Sequence, residues 1–160
     1  MLPIHRKSDE LDISKAEESF THFEIKPPLA KEKSGCILVV DDDKSILDFL
    51  SAVVFMMGYK AVACNNGEEA LALFRGRSFD LVLTDMQMPK MDGLALSTHI
   101  KKESPRTPVV MITGQKDQTI VKKIKRIPID YILFKPFTLT GIQETLQEIL
   151  NRLQSNRGGV

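Results

Sequence analysis

Asp41, Asp42, Asp43, Asp85, Thr113 and Lys135 are the residues of this chain best suited to joint chemistry, because each group follows a short apolar run. Ile37 to Val40 (ILVV) ends on the three aspartates, and Leu81 to Leu83 is followed by Thr84-Asp85. Val109 to Ile112 (VVMI) ends on Thr113, and Tyr131 to Phe134 (YILF) ends on Lys135. Runs of this kind mark strands buried on both faces. A parallel sheet brings all its carboxyl ends to one edge, which is where ligands bind in such sheets. Singly, each group has a plain structural explanation: helix capping for the aspartates, a turn for Thr113-Gly114, a solvated side chain for Lys135. Matching positions after four different runs argue instead for one site. Crowded carboxylates repel and call for a cation; oxygen ligands with a few waters suit Mg²⁺ or Mn²⁺. Such a site still accepts an anion with several oxygens, such as a phosphoryl group. Thr113 can donate to one of its oxygens, Lys135 can pair with another, and Asp85 can be the nucleophile.

These groups need elements to position them. From Cys36 the sequence alternates strands and helices. Ser45 to Met57 carries Ile46, Leu47, Leu50, Val53, Val54 and Met57 on one helical face. Lys60 to Cys64 (KAVAC) reads as a second strand, and Asn66 can cap a helix over residues 67–75. Pro89 and Asp92-Gly93 make a stiff turn after the third strand, and Leu94 to Lys102 reads as a helix stopped by Ser104-Pro105. Asp117 to about Arg126 and Thr140 to Leu153 complete the set. Five strands alternating with five helices predict a parallel sheet covered on both faces. Residues 1–34 differ in character: Ser14 to Phe23 suggests a short helix, and the Lys26-Pro27-Pro28 stretch is linker-like.

Composition narrows the function. Basic and acidic side chains number 22 and 21, for a net charge of +1, so nothing calls for nucleic acid or an anionic membrane. The N-terminus is too polar for a signal peptide, and no apolar stretch is long enough to span a bilayer. Cys36 and Cys64 fall in apolar runs and read as reduced core residues. A cytoplasmic location is therefore expected.

The stretches ILVVDDD, NNGEEAL, DLVLTDMQMPKMDGL, VVMITG and FKPF, in this order, resemble the receiver domain of two-component response regulators over about residues 35–153. The resemblance implies a flavodoxin-like, doubly wound sheet of strand order 2-1-3-4-5, flanked by residues 1–34 as an N-terminal extension and 154–160 as a tail. It implies that Asp85 accepts phosphate from the phosphohistidine of a sensor histidine kinase or histidine phosphotransfer protein. Asp41, Asp42, Asp85 and the backbone carbonyl of Gln87 would hold Mg²⁺ or Mn²⁺, with Asp43 outside that set. Thr113 and Lys135 match the switch hydroxyl and the phosphoryl-binding lysine, and Pro136 the family's cis-proline. Such a protein is a regulator rather than an enzyme. It acts on a downstream protein, and the resemblance leaves room for a phosphorylation-dependent dimer.

Two departures stand out. The family's switch aromatic lies three residues before the lysine, where this chain has Ile132; Tyr131 lies four before. Either the switch is altered or a bulge at Leu133 or Phe134 restores Tyr131 to the family's face; the bulge is the favoured expectation. Ile127-Pro128-Ile129 replaces the usual small pair before this strand. Two rival readings are weaker. Asp41, Asp43 and Ser45 echo the nucleophile loop of haloacid-dehalogenase-type phosphatases, but Phe137 to Gly141 lacks that family's acidic pair. A binding module that kept only the fold would have lost part of the acidic set, Asp85 or Lys135.

Overall fold

The computed structural model describes residues 22–25, 35–114, 122, 125–126 and 129–157. Its elements in chain order are strand β1 (His22–Ile25), strand β2 (Cys36–Val40), helix α1 (Lys44–Met56), strand β3 (Lys60–Cys64), helix α2 (Gly67–Gly76), strand β4 (Leu81–Asp85), helix α3 (Gly93–Glu103), strand β5 (Val109–Thr113), strand β6 (Tyr131–Phe134) and helix α4 (Leu139–Arg157). They form one six-stranded sheet of order β1-β3-β2-β4-β5-β6. All pairs from β3 to β6 are parallel. Counted from Cys36, the strands therefore run in the flavodoxin-like order 2-1-3-4-5.

Strand alternation divides the core into two layers. Ile37 and Val39 of β2, with Ala61, Ala63, Leu81, Leu83, Val110 and Ile112, meet α1 and α4. Leu38 and Val40, with Val62, Cys64, Val82 and Val109, meet α2 and α3. Because both faces are covered, β4 and β5 are buried along their whole length, as their continuous apolar runs require. The helices begin where short polar side chains cap them. Asp43 accepts from Ser45 N–H, Asn66 from Glu69 N–H and Asp92 from Ala95 N–H.

The sheet differs from expectation in one strand. β1 pairs antiparallel with β3, so the sheet has six strands rather than five. His22 and Phe23, which the sequence suggested for the end of a helix, are extended; the rest of that expected helix lies outside the described residues. The cause is non-local: β3 is the last strand of the parallel set, and its outer N–H and C=O groups need partners. Four helices are present among the described residues, and the expected helix over Asp117 to Arg126 falls almost entirely outside them. Cys36 and Cys64 are both free thiols, the second fully buried. No described helix is long and apolar enough to cross a membrane.

Candidate functional site

Each strand tip delivers one group to the same edge. Asp41 follows β2 and is 1% exposed; Asp85 is the last residue of β4 and 6% exposed; Thr113 ends β5 and is 2% exposed. Carboxylate oxygens of Asp41, Asp42 and Asp85 all lie within 4.8 Å of one another, Asp42 on the solvent side. Lys135, just past β6, reaches into this group. Its Nζ donates to Asp85 Oδ1 at 2.8 Å and to Asp41 Oδ2 at 3.5 Å. The Lys135 N–H donates to the Thr113 carbonyl at 2.8 Å, so the ladder between β5 and β6 continues up to the site. The Lys135-Pro136 peptide is cis.

Backbone groups hold the Asp85 side of the pocket. Gln87 N–H donates to Asp85 Oδ2 at 2.9 Å. Met86 N–H donates to Ile112 O and Gly93 N–H to Met86 O, at 2.8 and 3.0 Å. The loop from β4 to α3 is thus fixed at its start and at its end. Gly93 is more than a turn residue: a Cβ there would lie 2.2 Å from the Asp85 carbonyl oxygen and 2.9 Å from Met111 Sδ. That close approach was not legible in the Asp92-Gly93 pair, which signals only a turn.

The electrostatics follow from burial and crowding. Burial pushes the Asp41 carboxyl up from 3.8 to about 6, and the Asp85 charge pushes the same way. The Asp43 N–H, which donates to Asp41 Oδ1 at 2.8 Å, and the Lys135 ammonium act against this but do not cancel it. For Lys135, burial favours the neutral amine, but Asp85 and Asp41 outweigh it and hold the pKa above its ordinary value. One ammonium therefore faces an excess of carboxylate. Three oxygen donors in so small a volume could hold a hard divalent ion such as Mg²⁺ or Mn²⁺.

Of the sequence-predicted residues, Asp41, Asp42, Asp85 and Lys135 come together in direct contact or within a few ångströms. Thr113 sits one residue beyond Ile112, the register partner of Asp85. Gln87 touches the site through its N–H. The Asp43 side chain stays outside the cluster and caps α1, while its N–H donates to Asp41. The expected bulge in β6 is absent: Tyr131, Ile132, Leu133 and Phe134 pair in unbroken register with Val110, Met111, Ile112 and Thr113. Alternation then places Tyr131 against the α1 and α4 layer, where Arg152 Nη1 donates to its hydroxyl at 3.4 Å. Ile132 faces the other way and packs with Met86, Met111, Leu94 and Ile129. The register is set by pairing with β5, and the spacing of an aromatic to the lysine has no power over it.

Comparison with known proteins agrees with this geometry. The family model described as "Response regulator receiver domain" matches residues 37–147. The chain is 35% identical over 122 residues to a probable transcriptional regulator, ycf27, of Cyanidium caldarium, covering 74% of this chain and 47% of that protein. It is 38% identical over 120 residues to the transcriptional regulatory protein ZraR of Escherichia coli K12, covering 74% of this chain and 27% of ZraR. The chain thus spans about half the length, or less, of these curated relatives. The chemotaxis protein CheY4 of Vibrio cholerae superposes with a TM-score of 0.69 at 28% identity, over 73% of this chain and 99% of CheY4.

Proposed function

Because the chain belongs to the response regulator receiver domain family, we propose that residues 35–153 form a phosphoacceptor unit in which Asp85 takes a phosphoryl group from a phosphohistidine. The donor is a sensor histidine kinase or a histidine phosphotransfer protein. An Asp85 carboxylate oxygen attacks phosphorus, forming a P–O bond. The N–P bond of the phosphohistidine breaks, and the imidazole nitrogen leaves with the electron pair. Asp41, Asp42, Asp85 and the Gln87 carbonyl hold Mg²⁺ or Mn²⁺. When bound, the ion neutralises the charge that collects between these carboxylates and the phosphoryl oxygens.

The chain's own groups supply the rest. Gln87 N–H fixes one Asp85 oxygen, which leaves the carboxylate oriented before the donor arrives. Lys135, already 2.8 Å from the other oxygen, can transfer its hydrogen bond to the incoming phosphoryl group. The Thr113 hydroxyl donates to a second phosphoryl oxygen. The phosphorylated form then changes contacts with a downstream protein; the sheet also takes in β1 from the N-terminal extension, and α4 runs past Leu153 to Arg157.

The observation that carries this reading is Asp85 itself. It is a nearly buried carboxylate clamped by an ammonium and a backbone N–H beside two further carboxylates. Incubation with Mg²⁺ and acetyl phosphate, followed by intact-mass measurement, tests it. The wild type should gain one phosphate and Asp85→Asn none. A normal adduct on Asp85→Asn would overturn the assignment, as would a beryllofluoride complex that forms without Asp85 or without a divalent ion.

A further inference from the structure

Strand β3 has two edges of different kinds. On one side it runs parallel to β2 over five positions, from Cys36↔Lys60 to Val40↔Cys64. Lys60 N–H donates to Gly35 O, and Cys64 O accepts from Asp41 N–H, so Lys60, Val62 and Cys64 turn their backbone groups toward β2. Ala61 and Ala63 therefore turn theirs outward, to the side where β1 lies, opposite Ile25 and Phe23. Apart from Lys60 at one end and the cover that β1 provides, this outer edge has no charge, proline or bulge to defend it. Ala61, Val62, Ala63 and Cys64 are fully buried, the strand contains no proline, and Lys60 is its sole charge.

β1 is a short cover. Its four pairs run from His22↔Cys64 to Ile25↔Ala61. Ile25 and Cys36 lie at the same end of β3 on opposite sides, two strand spacings or roughly 10 Å apart. The intervening stretch can reach about 3.3 Å per residue, well beyond that gap. A four-residue edge strand belongs to the part of a fold that opens most readily.

We propose that β1 is a releasable cover, and that the β3 edge beneath it is a pairing surface for a second copy of this chain, β3 against β3 about a two-fold axis through Val62. The strand is self-complementary in that register. Ala61 of one copy faces Ala63 of the other, and both residues present outward N–H and C=O groups, so each pair exchanges both hydrogen bonds. Val62 meets Val62 at the axis, and Lys60 faces the uncharged Cys64, so no like charges are opposed. The arrangement closes on itself and stops at a dimer. It goes beyond the phosphoacceptor reading, since β2 lies between β3 and the strand that bears Asp85.

The test uses the full chain with Phe23→Pro and Ile25→Pro, which removes the two β1 N–H groups that face β3. A phosphate adduct formed by this variant at the wild-type rate establishes that the domain is folded. Unphosphorylated wild type should sediment as a monomer. The variant should double in mass as concentration rises, with the Ala61 and Ala63 amides still protected from hydrogen exchange in the dimer. In its dilute monomer the same two amides should exchange roughly 100-fold faster than in wild type. A folded variant that stays monomeric with those amides fast would overturn the proposal. So would a dimer in which they remain fast, or growth beyond a dimer.

Discussion

Replacing Asp41 with asparagine should make the metal-free protein more stable. Asp41 is almost fully buried, and its folded-state pKa stands near 6 against an ordinary 3.8. A carboxyl with a raised folded pKa keeps its proton in the native state after the unfolded chain has lost it. The contribution of Asp41 to stability is therefore most favourable below about pH 4, falls as pH climbs to about 6, and stays at the lower level above that. A rise of about two units corresponds to about 3 kcal/mol as an upper bound. Asparagine keeps an oxygen to accept the Asp43 N–H and removes the charge, while Lys135 keeps Asp85. Urea unfolding in EDTA at pH 7.5 should show Asp41→Asn about 1–3 kcal/mol more stable than wild type, with the gap closing by pH 4. Mg²⁺ should narrow the gap at pH 7.5, because it stabilises only the chain that binds it well. If Asp41→Asn is less stable than wild type in EDTA at pH 7.5, or its advantage is the same at pH 4, the account of this site as a store of unrelieved charge fails.

Other expectations follow from single contacts. Gly93→Ala puts a methyl group 2.2 Å from the Asp85 carbonyl oxygen; it should cost about 3 kcal/mol or more in urea unfolding and slow adduct formation, because the acceptor's own backbone must move. Lys90 holds φ at 65° between Pro89 and Met91. Lys90→Val should therefore destabilise by about 1–2 kcal/mol while Lys90→Asn is neutral or slightly stabilising, as read from thermal unfolding. In a comparison of free and beryllofluoride-bound protein, the Tyr131 ring should keep its place beside Arg152, and the Ile132 methyl resonances should shift. A Tyr131 ring that changes rotamer with Thr113 would contradict this.

Most of the parallel sheet was legible because its strands are buried on both faces, and burial of that kind writes continuous apolar runs such as ILVV and VVMI. The helix starts were legible where a capping side chain is short and polar, as at Asn66. The carboxylate cluster could be assembled from sequence because topology alone sends the ends of β2 and β4 to one edge. β1 was not legible. Four residues with no distinctive pattern pair there because β3 leaves an edge open, which is a property of a segment forty residues away. The path of β6 was misjudged for a related reason: Tyr131 invites a local explanation, yet its direction is set by register with Val110. Gly93 was read for its freedom, whereas its importance is what it leaves vacant beside Asp85.

Asp130 gives the two site-bearing strands β5 and β6 a mechanical character. Its carboxylate takes the Val109 N–H at 2.7 Å and the Lys101 ammonium at 2.6 Å, and its own N–H donates to Val109 O at 3.0 Å. One residue thus staples the start of β5, the approach to β6 and the last turn of α3, at the end of the sheet away from Asp85. Thr113 and Lys135 stand at the opposite tips of those same strands. The pair is tied at its root by side chains, whereas at its tips the ties are backbone bonds, Lys135 N–H to Thr113 O and Met86 N–H to Ile112 O. Deflection at Thr113 and Lys135 should be passed sideways, to Met86 and Ile132 along the rim, with the clamped roots as a fixed frame. Cutting the staple, with Asp130→Ala, would loosen the strands at the root and blur the difference between the two states at the tip.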